Sequence, residues 1–197
     1  MNTGILGGSF DPVHNGHIRM AQSALKYANL DRVIFLPNGN PPHKDYCFAK
    51  GADRYNMLCI ALEKYSYFEV SDYEIKRTKP SYTVNSMRHF KKLYPSDNIM
   101  FIVGADSLNY LDKWKCADAL RDENTFIAVN RNFSDNYSFE NNIAQCRKNG
   151  YKIIKAVMEP CNISSTEIRR RIKCGENTEQ FTDEKVMEYI KQNNIYR

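Results

Sequence analysis

Short unbroken runs of apolar residues alternate along this chain with longer stretches in which apolar residues recur every three or four positions. The unbroken runs predict six strands, at residues 3–6, 33–36, 68–70, 99–103, 125–129 and 151–157. Continuous apolar runs rich in Val, Ile and Phe are typical of parallel strands that are buried on both faces. The most apolar run, Ile-Met-Phe-Ile-Val at 99–103, predicts a central strand.

The helical repeat predicts helices at residues 18–30, 52–64, 84–94 and 182–193, with shorter ones at 107–111 and 164–172. A further helix is predicted to end at residue 148, after a polar loop at 132–138. The alternation of strands and helices indicates right-handed βαβ units. The predicted fold class is therefore α/β, a Rossmann-like open parallel sheet with helices on both faces. We expect residues 1–197 to form a single domain, with a C-terminal helical part from about residue 164 packed on it.

The composition is that of an ordinary globular enzyme, with 42% hydrophobic and 26% charged residues. The net charge of +5 is modest and spread along the chain, so it suits small anions at least as well as nucleic acid. The basic run at 169–171 would need an aromatic or basic face around it to indicate a nucleic-acid site; the sequence indicates none, and we expect no nucleic-acid partner.

The cysteines and the N-terminus indicate the compartment. Six cysteines are scattered without a CxxC pair, which excludes a zinc knuckle or a thioredoxin-like motif and suggests a reducing environment. The N-terminus lacks the charged and apolar regions of a secretory signal, and no apolar segment approaches membrane-spanning length. These features predict a cytoplasmic protein with no membrane partner.

The chain is organised around the string GGSFDPVHNGH at residues 7–17, between the first predicted strand and the first predicted helix. His14 and His17 lie three residues apart, so both rings can reach the space before the positive end of the helix if it begins near Val13 or Asn15. Two imidazoles beside free backbone N–H groups would stabilise negative charge on a phosphate. A structural turn and half of a metal site are the alternatives, and phosphate binding is favoured because no Cys or Asp cluster accompanies the histidines.

Polar residues also follow other predicted strands, where open α/β sheets bind ligands. The cleft is expected between the ends of the first strand and the 99–103 strand, which places Gly104 and Asp106 opposite the histidines. Asp106 is explained equally well as a helix cap and as a contact to a ribose or a metal-bound water. Thr83 is placed to cap a helix, and the sole tryptophan, Trp114, suits a core or rim position.

Two further segments carry candidate phosphate donors. Residues 38–50 form a predicted loop that contains His43 and Lys44, for which a solvated connection is the simplest explanation. Near the other end, the string at 163–169 predicts a helix capped by a hydroxyl of Ser164, Ser165 or Thr166. Hydroxyls, free N–H groups and an arginine at one helix start also suit the β- and γ-phosphates of a nucleotide.

These strings resemble a known family. The string at 7–17 is similar to the (H/T)xGH signature of the nucleotidylyltransferase superfamily, and its wording resembles nicotinate-mononucleotide adenylyltransferases in particular. The ISSTxxR motif of the superfamily is matched by Ile-Ser-Ser-Thr-Glu-Ile-Arg at 163–169. PPHK at 41–44, PSYT at 80–83 and GADSL at 104–108 with a following Trp are similar to the same family, so the resemblance covers nearly the full chain.

The resemblance implies the nucleotidylyltransferase type of fold and the transfer of AMP from ATP to nicotinate mononucleotide, with release of pyrophosphate. ATP would bring Mg²⁺, bound mainly by its own oxygens and water, so no protein residue is assigned to the metal. A homo-oligomer is compatible with the resemblance.

The resemblance also implies the residues of the site. The implied catalytic residues are His14, His17, Lys44 and Arg169. The implied nucleotide-binding residues are Gly7, Gly8, Ser9, Phe10, Gly16, Gly104, Asp106, Arg131, Ile163, Ser164, Ser165 and Thr166. The implied mononucleotide-binding residues are His43, Lys44, Thr83, Trp114 and Lys115.

Two alternatives stay open at the level of sequence. Another enzyme of the superfamily, such as a pantetheine-phosphate adenylyltransferase or a cytidylyltransferase, is similar in the histidine and serine motifs but not in the strings between them. A nucleotide-binding sensor would keep the phosphate site without turnover, and the presence of both histidines, Lys44 and Arg169 argues against such a decayed site.

Overall fold

The protein is described by a computed structural model at residues 1–39, 47–130 and 136–197. In this part of the chain six parallel strands form one sheet in the order β3-β2-β1-β4-β5-β6. The strands are β1 (Asn2–Gly8), β2 (Arg32–Pro37), β3 (Phe68–Val70), β4 (Asn98–Gly104), β5 (Thr125–Asn130) and β6 (Lys152–Val157). This is the strand order of a doubly wound sheet, and it confirms the predicted Rossmann-like fold class.

Eight helices connect or follow the strands in the described residues. They are α1 (Asn15–Tyr27), α2 (Gly51–Leu62), α3 (Thr83–Leu93), α4 (Ala105–Leu108), α5 (Ala117–Glu123), α6 (Asn136–Lys148), α7 (Ser165–Cys174) and α8 (Glu184–Gln192). A single 3₁₀ turn, Leu111–Lys113, lies between α4 and α5. None of these helices is both long and apolar enough to span a membrane.

The core consists of two apolar layers, one on each face of the sheet. Successive residues of a strand point to opposite faces, so Leu6 packs in one layer and Ile5 in the other. The first layer is covered by α1, α2 and α8, and the second by α3 and α6. Helices therefore cover both faces, as the continuous apolar runs predict.

The sequence prediction was wrong in two segments. Helix α5 was not predicted, because Leu120 is its one buried residue and a single apolar position gives no periodic signal. The loop predicted at 132–138 is too long, because α6 already begins at Asn136. Polar residues at a helix start obscure the boundary, since Asn and Ser are common in loops and at helix ends alike.

Candidate active site

The cleft opens between β1 and β4, where the order in which successive strands are added to the sheet reverses. Leu6 is the last residue of β1 that pairs with β4, opposite Ile102, and the two chains separate beyond this pair. A cavity of about 440 Å³ lies between the separated ends of these two strands. Predicted site residues that line it are Gly7, Gly8, Ser9, Phe10, His17, Thr83, Gly104, Asp106, Trp114, Lys115 and Ser165. The topological switch point is therefore the position of the cleft, as expected from the sequence.

His17 faces this cleft and His14 lies behind it. Helix α1 begins at Asn15, one of the two predicted starts, with His14 as the N-cap residue. The backbone N–H of His14 donates to Nδ1 of His17 across 3.2 Å, and the two rings stack with their centroids 3.7 Å apart. Because Nδ1 accepts this bond, the proton of a neutral His17 ring is on Nε2. His17 thus offers the cleft a hydrogen-bond donor, whereas His14 is only 3% exposed.

Gly16 serves the packing of His14. A Cβ atom at this position would lie 3.0 Å from Nδ1 and Cε1 of His14 and 3.3 Å from Sγ of Cys161. These distances are shorter than ordinary contacts, so a larger residue would displace the imidazole. Gly16 was predicted to bind nucleotide; it is not among the residues that line the cleft, and the space beside its Cα is occupied by His14 and Cys161.

The second motif meets the first in the structure. The hydroxyl of Ser165 donates to the carbonyl of Pro12 (2.9 Å), and Nη1 of Arg169 donates to the carbonyl of Asp11 (2.6 Å). Thr182, which precedes α8, donates its hydroxyl to the carbonyl of Val13 (2.9 Å). The loop between β1 and α1 is therefore fixed by side chains from the far end of the chain.

The start of α7 has the features of a phosphate site. Ser164 is the N-cap residue, and its hydroxyl accepts from the N–H of Glu167 (3.2 Å). Thr166 accepts from Nη2 of Arg169 (3.2 Å), whose guanidinium lies 4.3 Å above the ring of Phe48. The first N–H groups of a helix and a nearby guanidinium attract anions. Of this motif only Ser165 lines the cleft; the predicted residues Ile163, Ser164, Thr166 and Arg169 do not.

Comparison with known proteins identifies the family. Residues 5–171 match the family model described as cytidylyltransferase-like. The chain is 40% identical over 203 residues to the probable nicotinate-nucleotide adenylyltransferase of Clostridium botulinum (strain Loch Maree / Type A3), with both chains covered completely. It is 38% identical to the protein of the same name from Clostridium tetani, with 98% of each chain covered. The chain belongs to the cytidylyltransferase-like family, among its nicotinate-nucleotide adenylyltransferases.

A solved structure shares the fold of this nucleotidyltransferase. The nicotinic acid mononucleotide adenylyltransferase of Plasmodium falciparum, complexed with NaAD, superimposes with a TM-score of 0.79 and covers 99% of this chain and 97% of its own. The two sequences are 21% identical, so the likeness concerns the fold alone.

In this adenylyltransferase the cap predicted at Thr83 is wrong, and the structure contradicts the cap alternative for Asp106. Thr83 is the first residue of α3, and its N-cap is Tyr82, which makes no side-chain cap bond. Asp106 lies in the first turn of α4, whose N-cap is Gly104, so Asp106 does not cap that helix either. Both side chains line the cleft instead. The cap motif was expected one residue too late in the first case, because the hydroxyl of Thr83 gave the stronger sequence signal.

Trp114 and Glu74 bound the cleft of the adenylyltransferase on the side of α3. Trp114 is half-buried, and its ring meets Phe101 edge to face with centroids 6.0 Å apart. Glu74 is 4% exposed and accepts a 2.5 Å hydrogen bond from the hydroxyl of Ser86. Burial raises the pKa of the Glu74 carboxyl. Glu74 was not predicted, since nothing distinguishes it in sequence from the charged residues near it.

Arg54 is a second residue that the sequence analysis missed, and it supports two segments that line the cleft. Its guanidinium donates to the carbonyls of Ser9 (2.8 Å), Asn38 (2.6 Å) and Ala49 (3.3 Å), and the side chain is only 2% exposed. It thereby ties the loop after β1 to the end of β2. A signal was available, because Arg54 falls on the apolar stripe of α2 three residues before Met57. A charge on a buried stripe usually has buried acceptors.

Three predicted residues lie outside the described part of the chain: His43, Lys44 and Arg131. Within the described part, no group of three or more His, Cys, Asp and Glu side chains is arranged to hold a metal ion. The alternative of half a metal site at the histidines therefore finds no further ligands among these residues.

Proposed function

We propose that this protein transfers AMP from ATP to nicotinate mononucleotide, which gives nicotinate adenine dinucleotide (NaAD) and pyrophosphate. The observation that carries the proposal is the meeting of two distant helix starts at one cleft, since His17 and Ser165 both line it. The names of the full-length relatives support the same reaction. The complex of the Plasmodium structure with NaAD supports the size of ligand that such a cleft accepts.

The chemistry needs positioning and charge neutralisation rather than a covalent intermediate. An oxygen of the mononucleotide phosphate attacks the α-phosphorus of ATP in line, and the bond to the β-phosphate oxygen breaks to release pyrophosphate. Negative charge grows on the α-phosphate oxygens during this step. We assign Nε2 of His17 as a donor to these oxygens, because the hydrogen bond to Nδ1 leaves its proton on that nitrogen. His14 is the second predicted donor.

The remaining phosphates are assigned to four other side chains. Arg169, with Ser165, would bind the leaving pyrophosphate at the start of α7, where backbone N–H groups favour an anion. Lys44, and with it His43, would orient the attacking phosphate, as the resemblance implies. Arg131 is assigned to the adenosine side on the same ground.

The nicotinate ring is assigned to the side of the cleft formed by α3 and Trp114. Stacking on an indole suits a flat pyridine ring. The N-terminal end of α3, where Thr83 lines the cleft, favours the carboxylate. The backbone at Trp114 and Lys115 would also approach the carboxylate. A preference for nicotinate over its amide is therefore part of the proposal.

The metal and the cellular setting complete the proposal. We expect Mg²⁺ to arrive with ATP and to keep mostly nucleotide oxygens and water as ligands. We also propose a cytoplasmic location. The single-domain organisation remains a prediction. The homo-oligomer is a prediction as well, and sedimentation of the purified chain would test it.

A substrate panel tests the reaction directly. Release of pyrophosphate is measured with ATP and, in turn, nicotinate mononucleotide, nicotinamide mononucleotide and phosphopantetheine, with CTP replacing ATP as a control. We expect the highest kcat/KM for ATP with nicotinate mononucleotide. A preference for phosphopantetheine or CTP would indicate a different member of the superfamily. ATP binding without pyrophosphate release from any acceptor would indicate a sensor.

A further inference from the structure

The carboxylate of Asp11 is buried in the loop that leads to the two histidines, and three donors hold it. Oδ2 accepts from the backbone N–H of Phe48 (2.7 Å), and Oδ1 accepts from the N–H of Ala49 (3.0 Å) and from the hydroxyl of Tyr196 (2.6 Å). Asp11 is 4% exposed, so these protein groups replace water around the carboxylate. Tyr196 supplies the one side-chain donor of the three.

Tyr196 is the penultimate residue of the chain and is buried against this loop. Burial, together with the bond to Asp11, raises the pKa of the Tyr196 phenol, so the hydroxyl remains a donor. The backbone of Tyr196 has φ 68°, a left-handed conformation that bulky residues rarely adopt. The chain end keeps this unfavourable dihedral while the Tyr196 side chain is bound to Asp11.

Asp11 in turn supports the two groups that are assigned to the phosphates. Its carbonyl accepts from Arg169, and the ring of Phe48, whose N–H binds the Asp11 carboxylate, lies under the same guanidinium. Three residues after Asp11 the backbone N–H of His14 binds Nδ1 of His17 and orients that ring. A shift of Asp11 therefore moves both the imidazole and the guanidinium.

We propose that Tyr196 is a positioning residue for the transfer: through Asp11 it holds His17 and Arg169 where the reacting phosphates need them. The reaction itself is that of the proposed function, on which this inference rests. His17 and Arg169 act on charge that grows in the transition state, so their displacement lowers kcat more than it raises KM.

The test compares two tyrosines that each donate to an aspartate. Tyr196→Phe removes the hydroxyl from Asp11 and keeps the ring. Tyr189→Phe is the matched control, because the Tyr189 hydroxyl donates to Asp53 (2.9 Å) on α2, away from the cleft. We expect Tyr196→Phe to lower kcat by roughly tenfold or more, as small misplacements of reacting groups do. The KM for ATP should stay within about twofold, and the control should match the wild type.

A double-mutant cycle tests whether Tyr196 acts through Asp11. Asp11→Asn is made alone and together with Tyr196→Phe. The fold loss of kcat in the double variant should be smaller than the product of the fold losses in the two single variants.

Hydrogen–deuterium exchange gives a second readout that does not depend on activity. Amides at 10–17 and 48–49 should exchange faster in Tyr196→Phe than in the wild type and in Tyr189→Phe. An unchanged kcat, a loss confined to KM, or an equal loss in Tyr189→Phe would overturn the inference. If the wild type transfers no AMP, the proposed function fails, and the exchange data alone then decide whether Tyr196 fixes this loop. If Tyr196→Phe does not fold, Asp11→Asn is judged by the same kcat, KM and exchange criteria.

Discussion

The hydroxyl of Ser165 donates to the carbonyl of Pro12 across 2.9 Å, although 153 positions separate the two residues in the chain. This bond joins the start of α7 to the loop that precedes α1. Each helix start contributes a side chain to the lining of one cleft, His17 from α1 and Ser165 from α7. Two positive helix ends attract one polyanion more strongly than either does alone. The contact is the geometric condition for a nucleotide that spans both motifs.

The role of His17 can be tested by two amide substitutions. The side-chain amide of Gln can place an N–H donor near the position of Nε2. The shorter amide of Asn reaches only the position of Nδ1, where its oxygen can accept the N–H of His14. We expect His17→Asn to lower kcat by about two orders of magnitude or more, the usual cost of losing one donor to a developing oxyanion. His17→Gln should retain more activity. Steady-state pyrophosphate release measures both, and circular dichroism confirms that both fold. Equal activity of the two variants would contradict the assignment of Nε2.

Lys44 is predicted to bind the mononucleotide phosphate and not ATP. Lys44→Ala should therefore raise the KM for nicotinate mononucleotide by roughly tenfold, the cost of one charged contact of about 1.5 kcal/mol, with little change in the KM for ATP. Lys50→Ala is the control, because Lys50 is an exposed lysine six positions away that precedes α2. An effect limited to the KM for ATP would reverse the assignment of Lys44.

The sequence predicts what depends on local pattern and misses what depends on distant partners. The six strands and the position of the cleft follow from apolar runs and from the switch-point rule, and the structure has both. The hydrogen bond between Tyr196 and Asp11 joins residues 185 positions apart, and no local sequence pattern predicts it. Arg54 lies between these cases, since its place on an apolar stripe was visible but its three carbonyl partners were not.

Trp114 gives the proposed mononucleotide site a spectroscopic probe, because it lines the cleft and is the single tryptophan of the chain. If the pyridine ring stacks on the indole, titration with nicotinate mononucleotide should quench the intrinsic tryptophan fluorescence. Trp114→Phe should remove this signal but keep an aromatic surface, so its KM for the mononucleotide should be close to that of the wild type. Trp114→Ala should raise this KM by roughly twofold to tenfold, since aromatic pairs contribute about 0.5–1.5 kcal/mol. Quenching by ATP alone would place the adenine, not the pyridine, at Trp114.

Glu74 should make the stability of the protein fall as the pH rises. Its pKa is raised in the folded state by burial, so the folded protein holds a proton that the unfolded chain has already released. Below the ordinary pKa of glutamate Glu74 is protonated in both states, so the raised pKa does not change the free energy of unfolding. Between the ordinary and the raised pKa the shift lowers the free energy of unfolding, and this penalty grows with pH. Above the raised pKa the penalty is constant.

Glu74→Gln removes this penalty and can still accept the hydrogen bond from Ser86. The melting temperature of the variant should therefore match that of the wild type at the acidic end of a series from roughly pH 4 to pH 8 and exceed it increasingly as the pH rises. Glu159→Gln, at an exposed position, controls for the loss of one negative charge. Differential scanning calorimetry measures the difference. A gap between Glu74→Gln and the wild type that does not change with pH would show that the Glu74 carboxyl titrates alike in the folded and unfolded states.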